Sequence, residues 1–120
     1  VSVPLFDRNK GAISAARAEQ RAAEARLTGL KLEVQADRSA AQARLTASIT
    51  RTRAADNGVA SAEEAYRLAR AGFDAGRISQ LELRSIRSAL IGARNTAVDA
   101  RIARVRAEVE LARLDGRTPF

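Results

Sequence analysis

The chain has no cysteine, histidine, methionine or tryptophan, only two prolines, and 3% aromatic residues. Without Cys or His there is no disulfide, no zinc site of the usual kind, no thiol nucleophile and no imidazole acid–base group. Without Cys, His and Met the segment offers no soft ligand set for a transition metal. The carboxylates have no nucleophile beside them, and Gly72-Phe73-Asp74-Ala75-Gly76 lacks the Gly-Lys-Ser/Thr ending of a phosphate loop. No catalytic residue, metal site or cofactor is therefore expected, and the chain does not read as an enzyme. No apolar run approaches the ~20 residues of a membrane helix. The first residues do not form a signal peptide. They begin mid-pattern without Met, so the chain reads as a piece of a longer protein with its localisation signal upstream of Val1.

What is present is alanine and arginine, 27 and 19 of 120 residues, with a net charge of +7. Bulky apolar side chains are too few for a thick core, whereas alanine lets helices run close together along a thin interface. A basic balance invites a nucleic-acid reading. Against it, the 14 acidic residues are interspersed with the basic ones, at i,i+4 spacings such as Glu63–Arg67, Arg104–Glu108 and Arg106–Glu110. No basic cluster and no set of stacking aromatics accompanies them, and no nucleic-acid partner is expected.

The strongest break in the helical pattern is Ala71–Ser79, AGFDAGRIS. Gly72 and Gly76 flank Phe73, and Ser79-Gln80-Leu81-Glu82 is a capping box that starts a new helix at once. A helix that stops and restarts within a few residues folds back, so the break is the tip of a hairpin. The expected organisation is a strand end and linker over 1–8, a long helix over 9–75, a tip over 72–79, a returning helix over 80–115 and a tail over 116–120. Val1, Val3 and Leu5 alternate as at a strand end, and Pro4 excludes a central strand. The fold class is all-α: a long antiparallel, coiled-coil-like hairpin with a short strand remnant.

The seam of the first helix reads Ile13, Ala16, Ala23, Leu27, Leu30, Val34, Ala41, Leu45, Ile49, Thr52, Ala55, Val59, Ala62, Tyr66, Ala69, Phe73. The successive four-residue steps at Leu45 and Ile49 resemble a stutter. Asp56-Asn57-Gly58 is a turn-type triplet; the seam keeps phase across it, which favours one long helix over two shorter ones. The returning helix carries two apolar stripes. Leu83, Ile86, Leu90, Ala93, Ala97, Ala100, Ala107, Leu111 and Leu114 form one; Ile91, Val98, Ile102, Val105, Val109 and Ala112 form the other. A two-stranded coil needs one seam, so the second stripe points to a further neighbour. Arg87, Arg94 and Arg101 recur at heptad spacing on a face expected to meet water. Phe73 is expected to pack across the turn. The piece alone is expected to fold marginally.

These parts, in this order, resemble a known family. The opening V-S-V-P-L-F-D-R-N-K-G-A-I, the long Ala/Arg-rich helix, Phe73-Asp74-Ala75-Gly76, Leu81-Glu82-Leu83 and the closing Leu111–Gly116 are similar to the second repeat of TolC-type outer-membrane efflux proteins. The heavy-metal (cobalt–zinc–cadmium) resistance branch is the nearest in kind. The resemblance implies a homotrimeric α-barrel/β-barrel duct in the cell outer membrane. This segment would lie mostly in the periplasm, and the missing β-strands would anchor it. The duct would passively export substrates, heavy-metal cations by implication, delivered by an inner-membrane pump through a periplasmic adaptor protein. Gly72, Phe73, Gly76, Arg77 and Ser79 would form the tip that docks the adaptor. Glu82 and Ser85 match the two positions of an acidic entrance gate, the second without its acid, and Arg84 stands where the family has an apolar residue. Three copies of Glu82 near one axis would repel one another. The alternative is a helical hairpin belonging to a periplasmic adaptor or another coiled-coil interaction module.

Overall fold

Few residue types hold two helices as close as alanine does, and alanine dominates the contact between the two helices of this chain. A computed structural model describes residues 5–117, with side chains from residue 9 onward. It contains α1 (Leu5–Asp74) and α2 (Gln80–Leu114), joined by a short turn. Residues 1–37 and 38–120 form two compact units.

Among the described side chains of the first unit, the hydrogen bonds are local. Gln20 donates to Glu24 at 3.0 Å, and the Thr28 hydroxyl donates to the Glu24 carbonyl at 2.9 Å. Every side chain from 9 to 37 is exposed, including Ile13, Leu27, Leu30 and Val34. The helix begins at Leu5, earlier than the expected start at Asn9. A strand needs partner strands for its backbone groups, whereas a helix satisfies them internally, and Leu5 and Phe6 take the helical option. The expected strand residues Val1–Pro4 lie outside the described residues.

The second unit is the hairpin. On α1 its buried and half-buried positions are Ala41, Leu45, Ser48, Thr52, Ala55, Val59, Ala62, Tyr66, Ala69 and Gly72, with Asp56 alongside. The steps alternate four and three through Ala69, which is an uninterrupted heptad seam. Two sequence expectations are corrected here. Ser48, not Ile49, occupies the seam, so there is no stutter. Ser48 fits because its hydroxyl donates to the Leu45 carbonyl at 2.7 Å, so it enters the interface without an unmet donor. Gly72 takes the place assigned to Phe73 for the same reason of phase. The helix runs unbroken through Asp56-Asn57-Gly58; a mid-helix glycine costs only about 1 kcal/mol.

α2 turns its first stripe inward. Leu90, Ala97, Ala100 and Ala107 are buried, and Leu83, Ile86, Ala93 and Leu111 are half-buried. Leu114, expected on this stripe, is exposed, and Asp115 beyond it is half-buried against Arg38. At the centre the Thr52 hydroxyl donates to the Ser48 carbonyl at 2.9 Å and lies 3.3 Å from the Ala100 carbonyl of the facing helix. That side chain is buried and fully partnered.

Ion pairs fix the register. Arg38–Asp115, Arg44–Glu110, Asp56–Arg101 and Glu63–Arg94 join the two helices at 2.6–2.9 Å. The last three are exposed on both sides and contribute roughly 0.2–1 kcal/mol each, so they select an alignment more than they stabilise it. They also correct the expected charge pattern. Glu63 and Glu110 bond across the hairpin rather than to Arg67 and Arg106, while Arg104–Glu108 forms as expected. Arg67 pairs with Glu64 instead, and hydrogen bonding between them holds the Glu64 carboxyl below its ordinary pKa. Arg94 and Arg101 remain exposed but are tied to α1.

Candidate functional site: the hairpin tip and the first turns of the returning helix

At Asp74 the first helix must leave its last carbonyls satisfied and reverse within a few residues. It does so with a Schellman motif: the Gly76 N–H donates to the Phe73 carbonyl at 2.9 Å and the Arg77 N–H to the Gly72 carbonyl at 2.8 Å. Gly76 adopts φ +70°, a left-handed conformation that glycine alone adopts without strain. The same motif closes α2, with Gly116 at φ +69° and bonds from Gly116 to Arg113 and from Arg117 to Ala112.

Ile78 plugs the turn. Its Cγ2 lies 3.6 Å from the point a Gly72 Cβ would occupy, which is ordinary contact. Phe73, expected to pack across the turn, is instead 37% exposed, because its position falls beside the seam rather than on it. The α2 start follows the capping-box reading in one half. The Ser79 hydroxyl accepts from the Glu82 N–H at 3.1 Å. The return bond from the Ser79 N–H to the Glu82 carboxylate is not formed among the described residues, and the Glu82 side chain faces solvent.

Glu82 and Ser85 are three residues apart and share a face of α2; both are exposed. Arg84 lies roughly 160° around the helix from Glu82, at 100° per residue. Glu82 and Arg84 therefore look in nearly opposite directions, while Ser85 lies roughly 100° from Arg84. Arg77 is exposed at the tip, beside the equally exposed Ala75 and Gly76.

Sequence reasoning missed one feature of this end of the molecule. Arg70, Arg84 and Arg87 border an open groove of about 350 Å³, walled by Tyr66, Phe73 and Leu83. Tyr66 and Arg87 also border a second groove of about 460 Å³ that continues along the hairpin past Leu90, Ile91 and Arg94. A hydrogen bond to Tyr66, then the charge of Asp74, raises the Arg70 pKa above its ordinary value. The signal was present in the heptad spacing of Arg87, Arg94 and Arg101, but it becomes a site only when α1 supplies the opposite wall.

A thin helical hairpin that leaves Ile91, Val98, Ile102 and Val105 exposed has the form of an assembly part rather than of an independent globule. The comparisons give that class its family. The pattern of the family described as "Outer membrane efflux protein" matches residues 1–117. The chain belongs to that family. It is 45% identical over 119 residues to the "Nickel-cobalt-cadmium resistance protein NccC" of Alcaligenes xylosoxydans xylosoxydans, covering 99% of this chain and 27% of that protein. The chain thus spans about a quarter of that relative's length. No solved structure matches. Among the described residues no helix is long and apolar enough to cross a membrane.

Proposed function

We propose that this chain is one wall segment of an outer-membrane efflux duct, a passive conduit for substrates handed over by an inner-membrane pump. The family match across residues 1–117 carries the reading and favours the duct over the adaptor hairpin. The second stripe of α2 supports it, since it is exposed from Ile91 to Val105 and half-buried only at Val109 and Ala112. Ile91, Val98, Ile102 and Val105 are each about half exposed, and so are Leu27, Leu30 and Val34 of α1. A wall of packed helices would cover all of them, and three copies would close it into a tube. The nickel–cobalt–cadmium resistance named for the relative makes divalent heavy-metal cations the proposed substrates. They would pass without being held, since the segment has no Cys, His or Met.

The tip residues Gly72, Phe73, Gly76, Arg77 and Ser79 would face the periplasmic adaptor, and Glu82 with Ser85 would face the entrance. The position of Arg84 on the other side of α2 is compatible with that role for Glu82. In the full-length protein reconstituted into planar bilayers, Glu82→Ala should raise conductance and weaken cation preference. Unchanged conductance and selectivity would remove Glu82 from the gate, and a full-length protein that conducts no ions would end the duct reading itself.

A further inference from the structure

One flank of the hairpin carries a charge ladder. Arg101 meets Asp56 at 2.7 Å, and seven residues earlier on α2 and later on α1, Arg94 meets Glu63 at 2.8 Å. One more step of seven places Arg87 level with Arg70, so the third rung has a guanidinium on both sides. Arg84 adds a third, one turn from Arg87. The carboxylate at hand is Asp74, 3.5 Å from Arg70, exposed and on the helix of Arg70 itself. Among the described residues, Arg84 and Arg87 form no ion pair.

A hairpin built only for its own stability would carry an acid at position 70, as it does at 56 and 63. Like charges at helical-neighbour spacing are destabilising, and here they surround a groove with aromatic and aliphatic walls. We propose that this groove docks an acidic helical segment of a partner protein. Its carboxylates pair with Arg70, Arg84 and Arg87, and its apolar residues cover Tyr66, Phe73 and Leu83.

Charge complementarity and the shape of the surface select this occupant. Guanidinium groups hold carboxylates through paired, directional hydrogen bonds. The groove runs on into the second one beside Leu90 and Ile91, which suits a rod several turns long. A small anion would satisfy the charges and leave those apolar walls in water. A nucleic acid would bring its phosphates against Glu63 and Asp56 on the same flank, where they repel it.

The proposal deepens the docking reading above and rests on it only in requiring a partner at this end of the hairpin. It is tested in cells with the full-length protein carrying a photo-crosslinking residue at Gln80, in the groove, or at Arg77, on the tip. The adduct from position 80 should contain a peptide with two or more carboxylates within two helical turns. Arg70→Glu together with Arg87→Glu should lower its yield at least tenfold, and reversing the partner's carboxylates to arginine should restore it. Arg70→Glu alone completes the third rung within the hairpin, so the thermal midpoint should hold or rise while the yield falls. An adduct without acidic residues, an adduct to nucleic acid or lipid, or a yield indifferent to these reversals overturns the proposal. Adducts from position 77 with none from 80 overturn the groove and leave the tip reading standing; none from either position overturns both.

Discussion

The two stretches of α1 share a composition and a periodicity but have opposite environments. Between 41 and 72 the seam is covered by α2, and Ala41, Thr52 and Ala69 are buried. Between 9 and 37 the same three-and-four spacing brings Ile13, Leu27, Leu30 and Val34 to a surface that stays open. Helix propensity is therefore sufficient for local form in both, and packing energy is present in only one. Long helices in water draw most of their stability from a buried face, so the open stretch is the part that depends on elements outside this chain.

The largest expected effect that sharpens this contrast is at Leu90, the one large aliphatic side chain buried among the described residues. Leu90→Ala should cost about 2–5 kcal/mol, against less than about 0.5 kcal/mol for Leu30→Ala in the open stretch. Helicity followed against temperature in the 120-residue chain measures both. Equal losses would mean that the open stretch is packed after all.

Next comes the close approach itself. Ala100→Leu should overfill the interface and cost about 1–3 kcal/mol, while Ala23→Leu should leave the melting curve nearly unchanged. Hydrogen exchange should show the same division, with slow amides around 97–107 and fast ones before 37. If Ala100→Leu is as harmless as Ala23→Leu, alanine is not what sets the separation of the helices.

The smallest effect concerns the ladder. Asp56→Asn should lower stability by only ~0.2–1 kcal/mol, and the loss should shrink further in high salt, because the Asp56–Arg101 pair is exposed on both sides. A larger, salt-independent loss would show that this rung holds the hairpin together rather than aligning it.

Much of the local structure was legible in advance. Ser79 as a cap and a reversal at the Gly72–Gly76 break follow from what single residue types can do at a helix end. The inward stripe of α2 followed from periodicity. The errors share one cause: Ser48 for Ile49, Gly72 for Phe73 and Asp115 beyond Leu114 are all displacements of one residue. Hydrophobicity ranks Ile49 and Phe73 above Ser48 and Gly72, but an alanine seam has room for small residues and pushes large ones to its edge. The arginine groove was hidden for a different reason. Its two walls lie on separate helices, and nothing in either helix alone states which residue of the other stands opposite.

The sequence by itself determined where this protein is helical, where it reverses and which faces are apolar, because those depend on neighbours within one or two turns. It also determined membership of the efflux family, through the order of those parts. Only the tertiary structure decided the register, and with it the partners of Glu63 and Glu110, the burial of Thr52 and the meeting of Arg70 with Arg87. Register depends on contacts between residues about 15–80 positions apart on the two helices, and the free energies that choose it are small, distributed and set by the fit of two surfaces together.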